Sequence, residues 1–261
     1  MTEAHVPTLA PEVLLQWGPL TITNTIINAW LAFFIFLVVG LALRKRLSVR
    51  PGKFQNGVEY FLEILLGYFD QVTGNRALTL RFLPVAGSVF FFILLSNWLG
   101  LLPGTGSITF GHSFLLRPAT TDLNLTLAMA LVTVISSHLF GFFTVGIFTH
   151  FNKFIQIGSV LKSLRKGPIA IFTALVEFAV GLIEIVGELS KVLSLSLRLF
   201  GNIFAGEVLL TVITGLVAAV IPTPFMLLEL LVGMIQAGVF AILTIVYMTV
   251  ASAEPHQVED H

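Results

Sequence analysis

Leu193-Ser194-Leu195-Ser196-Leu197-Arg198-Leu199-Phe200 sets an arginine deep inside an apolar run, and that placement governs how the chain folds. A guanidinium stays protonated at any biological pH and cannot neutralise itself. At the centre of a bilayer it costs at least ~2.5–3.5 kcal/mol on insertion scales, so it marks a pathway or a partner. The surrounding run has no internal proline for about 53 residues, from Pro168 to Pro222. As one helix it would reach about 80 Å, far beyond an upright crossing. Two readings stand: a break into two spans near Gly201, or one helix tilted well outside the usual ~0–40° range.

The rest of the 261-residue chain has the same character. It is 56% hydrophobic and 11% charged, with a mean hydropathy of +0.95, whereas a soluble domain carries roughly 25% charged residues. The expected fold class is an all-α, polytopic membrane protein. A formal net charge of zero gives no electrostatic reason to bind nucleic acid, and the lack of cysteine excludes disulfides and thiol-ligated metal sites. No internal repeat, low-complexity tract or linker divides residues 1–261, which are expected to form a single membrane domain.

Apolar runs predict spans over 22–43, 82–102 and 123–148, a long helix over 168–221 and a last one over 224–252. Residues 1–21 lack the basic start of a secretory signal, so the first run is expected to be a retained helix. Residues 54–72 differ: Val58, Phe61, Leu62, Leu65 and Phe69 fall at helical spacing, but Glu59, Glu63 and Asp70 interrupt them. That pattern predicts an amphipathic helix on the membrane surface. Lys and Arg positions set the orientation. Eleven lie in 44–53, at Arg76 and Arg81, and in the 150–167 loop, against Arg117 alone on the other side. The N-terminus is therefore expected outside.

The final third holds the polar constellation. Glu177, Glu184, Glu188, Lys191, Arg198 and Asn202 fall within about 80° of one helix face. Glu207 points to the opposite side. Glu229, Gln236 and Tyr247 form a stripe on the last helix. Such stripes must face protein or water, never lipid. Glu188 and Lys191, three residues apart, make a structural pair, and a functional role for them stays open. The nearest carboxylate to Arg198 on its own face, Glu188, is about 15 Å away along the axis, so the arginine is expected to meet an acid on another chain. Protonatable Glu207 and Glu229 suit a proton relay. Ser194 and Ser196 mean little on their own. Asp122, Asn124 and Thr126 suit an aqueous mouth, although capping alone explains Asp122. His138 and His150 lack metal-ligand spacing and read as structural. Gly104-Thr105-Gly106 is a turn, not a phosphate cradle. A membrane scaffold would leave Arg198 unexplained. An ion-coupled secondary transporter with its site around Arg198 is the competing reading, but it expects inverted repeats.

Residues 190–202, from Ser190 through Arg198 to Asn202, followed by Ile203-Phe204-Ala205-Gly206-Glu207, resemble the signature of subunit a of the rotary F-type ATP synthase. Asp122-Leu123-Asn124-Leu125-Thr126 and Gln236 before Leu243-Thr244-Ile245-Val246-Tyr247 agree, and the resemblance covers nearly the whole chain. It implies a non-catalytic stator subunit without cofactor or metal, facing a ring of c subunits and held by b-type peripheral stalk subunits within the synthase and the lipid bilayer. It also implies two long, strongly tilted helices against that ring. Arg198 would be the essential gate between two aqueous half-channels. Glu207, Glu229, Asn202 and Gln236 would line the outer one, with Asp122 and Asn124 at its mouth, and Glu184 and Ser194 would lie on the inner side. Position 229 is histidine in some members and 192 is often proline, so this chain's proton path is its own. The implied location is a bacterial inner membrane, with thylakoid as the organellar alternative, and residues 253–261 form an inner-side tail.

Overall fold

The computed structural model describes residues 8–18, 20–46, 52–102, 109–110, 113–114, 116–146, 168–216 and 222–253. The basic loop 150–167, His150, the Gly104–Gly106 turn, most of the C-terminal tail and the Glu177 side chain lie outside the described residues.

Two short antiparallel hairpins accompany a helical bundle. β1 (Val13–Trp17) pairs with β2 (Leu20–Thr23), and β3 (Thr109–Phe110) with β4 (Ser113–Phe114). The sequence reading contains neither. The first hairpin takes Ile22 and Thr23 into a strand, so α1 (Asn24–Arg46) starts later than the apolar run.

α2 (Lys53–Thr73) buries Leu65, Leu66 and Phe69 against its neighbours. It ends at Gly74, whose φ of 65° lies in the left-handed region open to glycine, with its N–H donating to Asp70 O at 2.9 Å. Asn75 then caps α3 (Arg76–Leu101) by accepting from the Ala77 N–H at 2.9 Å. α3 therefore begins six residues before the apolar run expected from Phe82. Arg76 in this first turn donates to Glu63 and Asp70 of α2, at 2.9 and 2.6 Å, and clamps the α2–α3 corner.

A 3₁₀ turn (Ala119–Thr121) leads into α4 (Leu123–Val145), which stops at Gly146. α5 (Pro168–Leu216) is one unbroken helix of 49 residues, about 73 Å long at helical rise. Gly201 does not break it, which sets aside the reading of two spans. Leu195, Leu199 and Ile203 bury one face across the glycine, at 1%, 0% and 2% exposure. That packing outweighs a glycine penalty of about 1 kcal/mol. α6 (Pro222–Ser252) spans 31 residues.

α3 packs along α6, and α4 against both α5 and α6. Phe82, Ile93, Leu195, Leu199, Phe240 and Ile245 form the dry centre. Among the described residues five helices, all except α2, are long and apolar enough to cross a membrane. The chain is an all-α polytopic membrane protein apart from its two small hairpins.

Candidate ion-conducting site

The helices sort the polar residues into three groups along α5. The first lies where α5 meets the loop before α4. The Arg117 guanidinium, 5% exposed, donates from Nε to Glu207 at 2.8 Å and from Nη2 at 2.9 Å, and also to the Thr8 carbonyl at 2.9 Å. The Phe204 ring lies beside it, 5.9 Å from the guanidinium carbon. One cation thus ties the N-terminal segment, the pre-α4 loop and α5 together. In the sequence Arg117 is a lone loop charge, with Glu207 90 residues away. Its signal was position: it is the one basic residue on the side that otherwise has none.

Glu229 of α6 is buried at 6% exposure beside Gly206 of α5, and its Oε1 has no hydrogen-bond partner among the described residues. Its carboxylate is close enough to that of Glu207 for their charges to oppose. One turn further along α5, Asn202 donates from Nδ2 to Gln236 Oε1 at 2.7 Å. The predicted Glu207, Glu229, Asn202 and Gln236 therefore converge on the α5–α6 seam. Asn97 of α3 backs that seam, donating to the Gly233 carbonyl at 3.4 Å and accepting from the Thr120 hydroxyl.

Asp122 caps α4 as predicted, accepting from the Asn124 N–H at 2.9 Å, and its second oxygen accepts from the Thr25 hydroxyl at 3.2 Å. With Asn124, Pro11, Thr21 and Thr23 it lines an open cleft of about 490 Å³ between the N-terminal hairpin and α4. Below it, Thr126 and Ser196 share a hydrogen bond at 3.1 Å. Ser196 thus joins α4 to α5, a role its sequence context did not show.

Arg198 forms the second group. Its side chain is exposed at mid-helix and contacts Ser194 Oγ at 3.4 Å. No acidic side chain among the described residues pairs with it. Glu207 is directed elsewhere, into the Arg117 bridge.

The third group lies toward the α5 N-terminus. Glu188 accepts from Lys191 at 2.6 Å, and His138 Nε2 of α4 lies 3.5 Å from its other oxygen. Lys191 sits 5.2 Å from the centre of the Tyr247 ring. Half-buried Glu184 is one turn further along α5. The Glu188 partner of His138 is 50 residues away on another helix, beyond the reach of any spacing along the chain.

Residues 26–249 match the profile of the family described as ATP synthase A chain. ATP synthase subunit a of Moorella thermoacetica is 33% identical over 238 residues, covering 91% of this chain and 94% of that protein. Its counterpart in Mycobacterium ulcerans is 35% identical over 246 residues, covering 90% and 89%. ATP synthase subunit a 1 of Syntrophotalea carbinolica is 34% identical over 229 residues, covering 88% and 86%.

Proposed function

Because the chain belongs to the ATP synthase A chain family, we propose that it is the non-catalytic, proton-conducting stator subunit of an F-type ATP synthase, with Arg198 as the gate between two half-channels. Its partners are a ring of c subunits bearing membrane carboxylates and b-type peripheral stalk subunits. Glu207, Glu229, Asn202 and Gln236 line the outer half-channel, with Asp122 and Asn124 at its mouth. Glu184 and Ser194 belong to the inner one. The N-terminal tail is outside and the C-terminal tail cytoplasmic. The bacterial origin of the relatives favours a bacterial inner membrane over a thylakoid.

One observation carries this reading: Arg198 is exposed on α5 and unmatched by any acid among the described residues. A cation at membrane depth needs a partner. An opposite charge nearby favours the ionised form of a carboxylate, while lipid disfavours it. A fixed guanidinium facing a moving ring therefore makes each carboxylate release its proton on arrival and regain one before re-entering lipid. Lysine could shed its charge when buried, and arginine does not. A helix of about 73 Å against a hydrocarbon core of ~30 Å also favours strong tilt, with a long face along the ring. In membrane vesicles, Arg198→Ala is expected to abolish ATP-driven proton pumping while the complex still assembles. Normal pumping in that variant would sink the reading.

A further inference from the structure

We propose that His138, held by the Glu188–Lys191 pair, is a proton-carrying station on the inner side of Arg198. The inference rests on the reading above and adds a residue to it. Groups from three helices meet there: His138 of α4 is 3.5 Å from Glu188 of α5, Lys191 bonds the same carboxylate at 2.6 Å, and its ammonium lies over Tyr247 of α6. Their side chains are neither sealed nor free, at 23% exposure for His138, 18% for Glu188 and 31% for Lys191. The cluster is thus held by three helices without being sealed inside the bundle.

Position along α5 gives the cluster its role. Arg198 bonds Ser194 one turn toward the helix start, and Lys191 and Glu188 follow at successive turns. Polar groups thus recur at roughly 5.4 Å intervals from the gate to His138, and Glu184 continues the series. An ion pair serving only to fix packing needs no third member. Here one Glu188 oxygen is matched by Lys191 and the other is turned to the imidazole of a neighbouring helix.

The chemistry then divides among the residues. Lys191 is positioned by Tyr247 through a cation–π contact and neutralises Glu188. Glu188 is a fixed counter-ion for the imidazolium. Imidazole is the member of this set that can accept a proton at one ring nitrogen and give one up from the other. It takes up one proton arriving from the Arg198 side, becomes imidazolium against Glu188, and releases that proton toward the inner end. Synthesis runs the transfer in this direction and hydrolysis runs it in reverse, and nothing is consumed.

The test uses inverted vesicles carrying the complete complex, in which the inner face meets the bath. His138→Gln keeps a polar side chain but has no ring nitrogen to take up a proton. Its ATP-driven pumping is expected to fall about tenfold and to lose the wild-type dependence on bath pH. Glu188→Gln keeps the imidazole, removes its counter-ion and is expected to alter the same profile, so either variant carries the test if the other fails to assemble. Unchanged pumping overturns the proposal, and so does lower pumping with the wild-type pH profile, which would assign the cluster to packing. Arg198→Ala is measured alongside. Pumping that survives in Arg198→Ala defeats the gate itself, whereas a blocked Arg198→Ala beside an untouched His138→Gln defeats only the station.

Discussion

Gly206 of α5 lies so close to the Glu229 carboxylate of α6 that a β-carbon at position 206 would overlap it. The smallest residue on one helix makes room for an acid on the next. Because Glu229 has an oxygen without a hydrogen-bond partner and sits near Glu207, its position is set by shape rather than by a bond.

Gly206→Ala is therefore expected to displace Glu229. Misplacing a reacting group by ~1 Å can cost on the order of 10²-fold. Proton pumping in vesicles should fall between about tenfold and a hundredfold while the subunit still copurifies with the complex. Full pumping would show that the location of the carboxylate is unimportant.

Arg117→Ala strands Glu207 and frees the segment around Thr8 and Ala10. Removing one member of a buried pair costs about 3–5 kcal/mol. Lower thermal stability of the purified complex and faster proteolysis near residues 8–10 are both expected. An N-terminal segment that stays as protected as in the wild type would contradict the tether.

Asn202 and Gln236 form a bond whose two halves can be removed separately. Asn202→Leu leaves the buried Gln236 amide unmatched, at about 1–3 kcal/mol, whereas Gln236→Leu leaves only the exposed Asn202 amide and is expected to cost less. The double variant is expected to recover most of that stability, because no unmatched amide remains, yet pump poorly. A double variant that recovers both would make the bond purely structural.

Arg76→Ala is the contrast. Its partners Glu63 and Asp70 are 68% and 31% exposed, and it is itself 41% exposed. Such an exposed pair contributes little, and salt screens it further. Melting of the complex at low and high ionic strength should barely register the change. A loss as large as that of Arg117→Ala would reverse this ranking.

Length and hydropathy made the membrane helices legible, because a lone segment satisfies its own backbone in lipid only as a helix. The stripe of polar residues on each long helix was legible for the same reason. The meeting of the stripes was not: helical spacing places Asn202 and Gln236 on faces without saying that the faces touch. The continuity of α5 was hidden because Gly201 weakens a helix locally, and its answer lies in the burial of Leu195, Leu199 and Ile203. Arg117 and His138 stayed illegible because each is defined by a carboxylate on a distant stretch of chain. The first hairpin was missed because its strands, of five and four residues, are too short for alternation to stand out.

The unbroken α5 also sets a rule for change within the chain. Glu188, Arg198 and Glu207 are marks on one rigid rod, so their angular phase is common property. Inserting a single residue between Glu188 and Glu207 would turn everything on one side by about 100° and advance it about 1.5 Å. Side chains along this rod can be exchanged one at a time, but its residue count works like a reading frame. A frameshift in space would leave every charge present and put those on one side of it out of step with the rest.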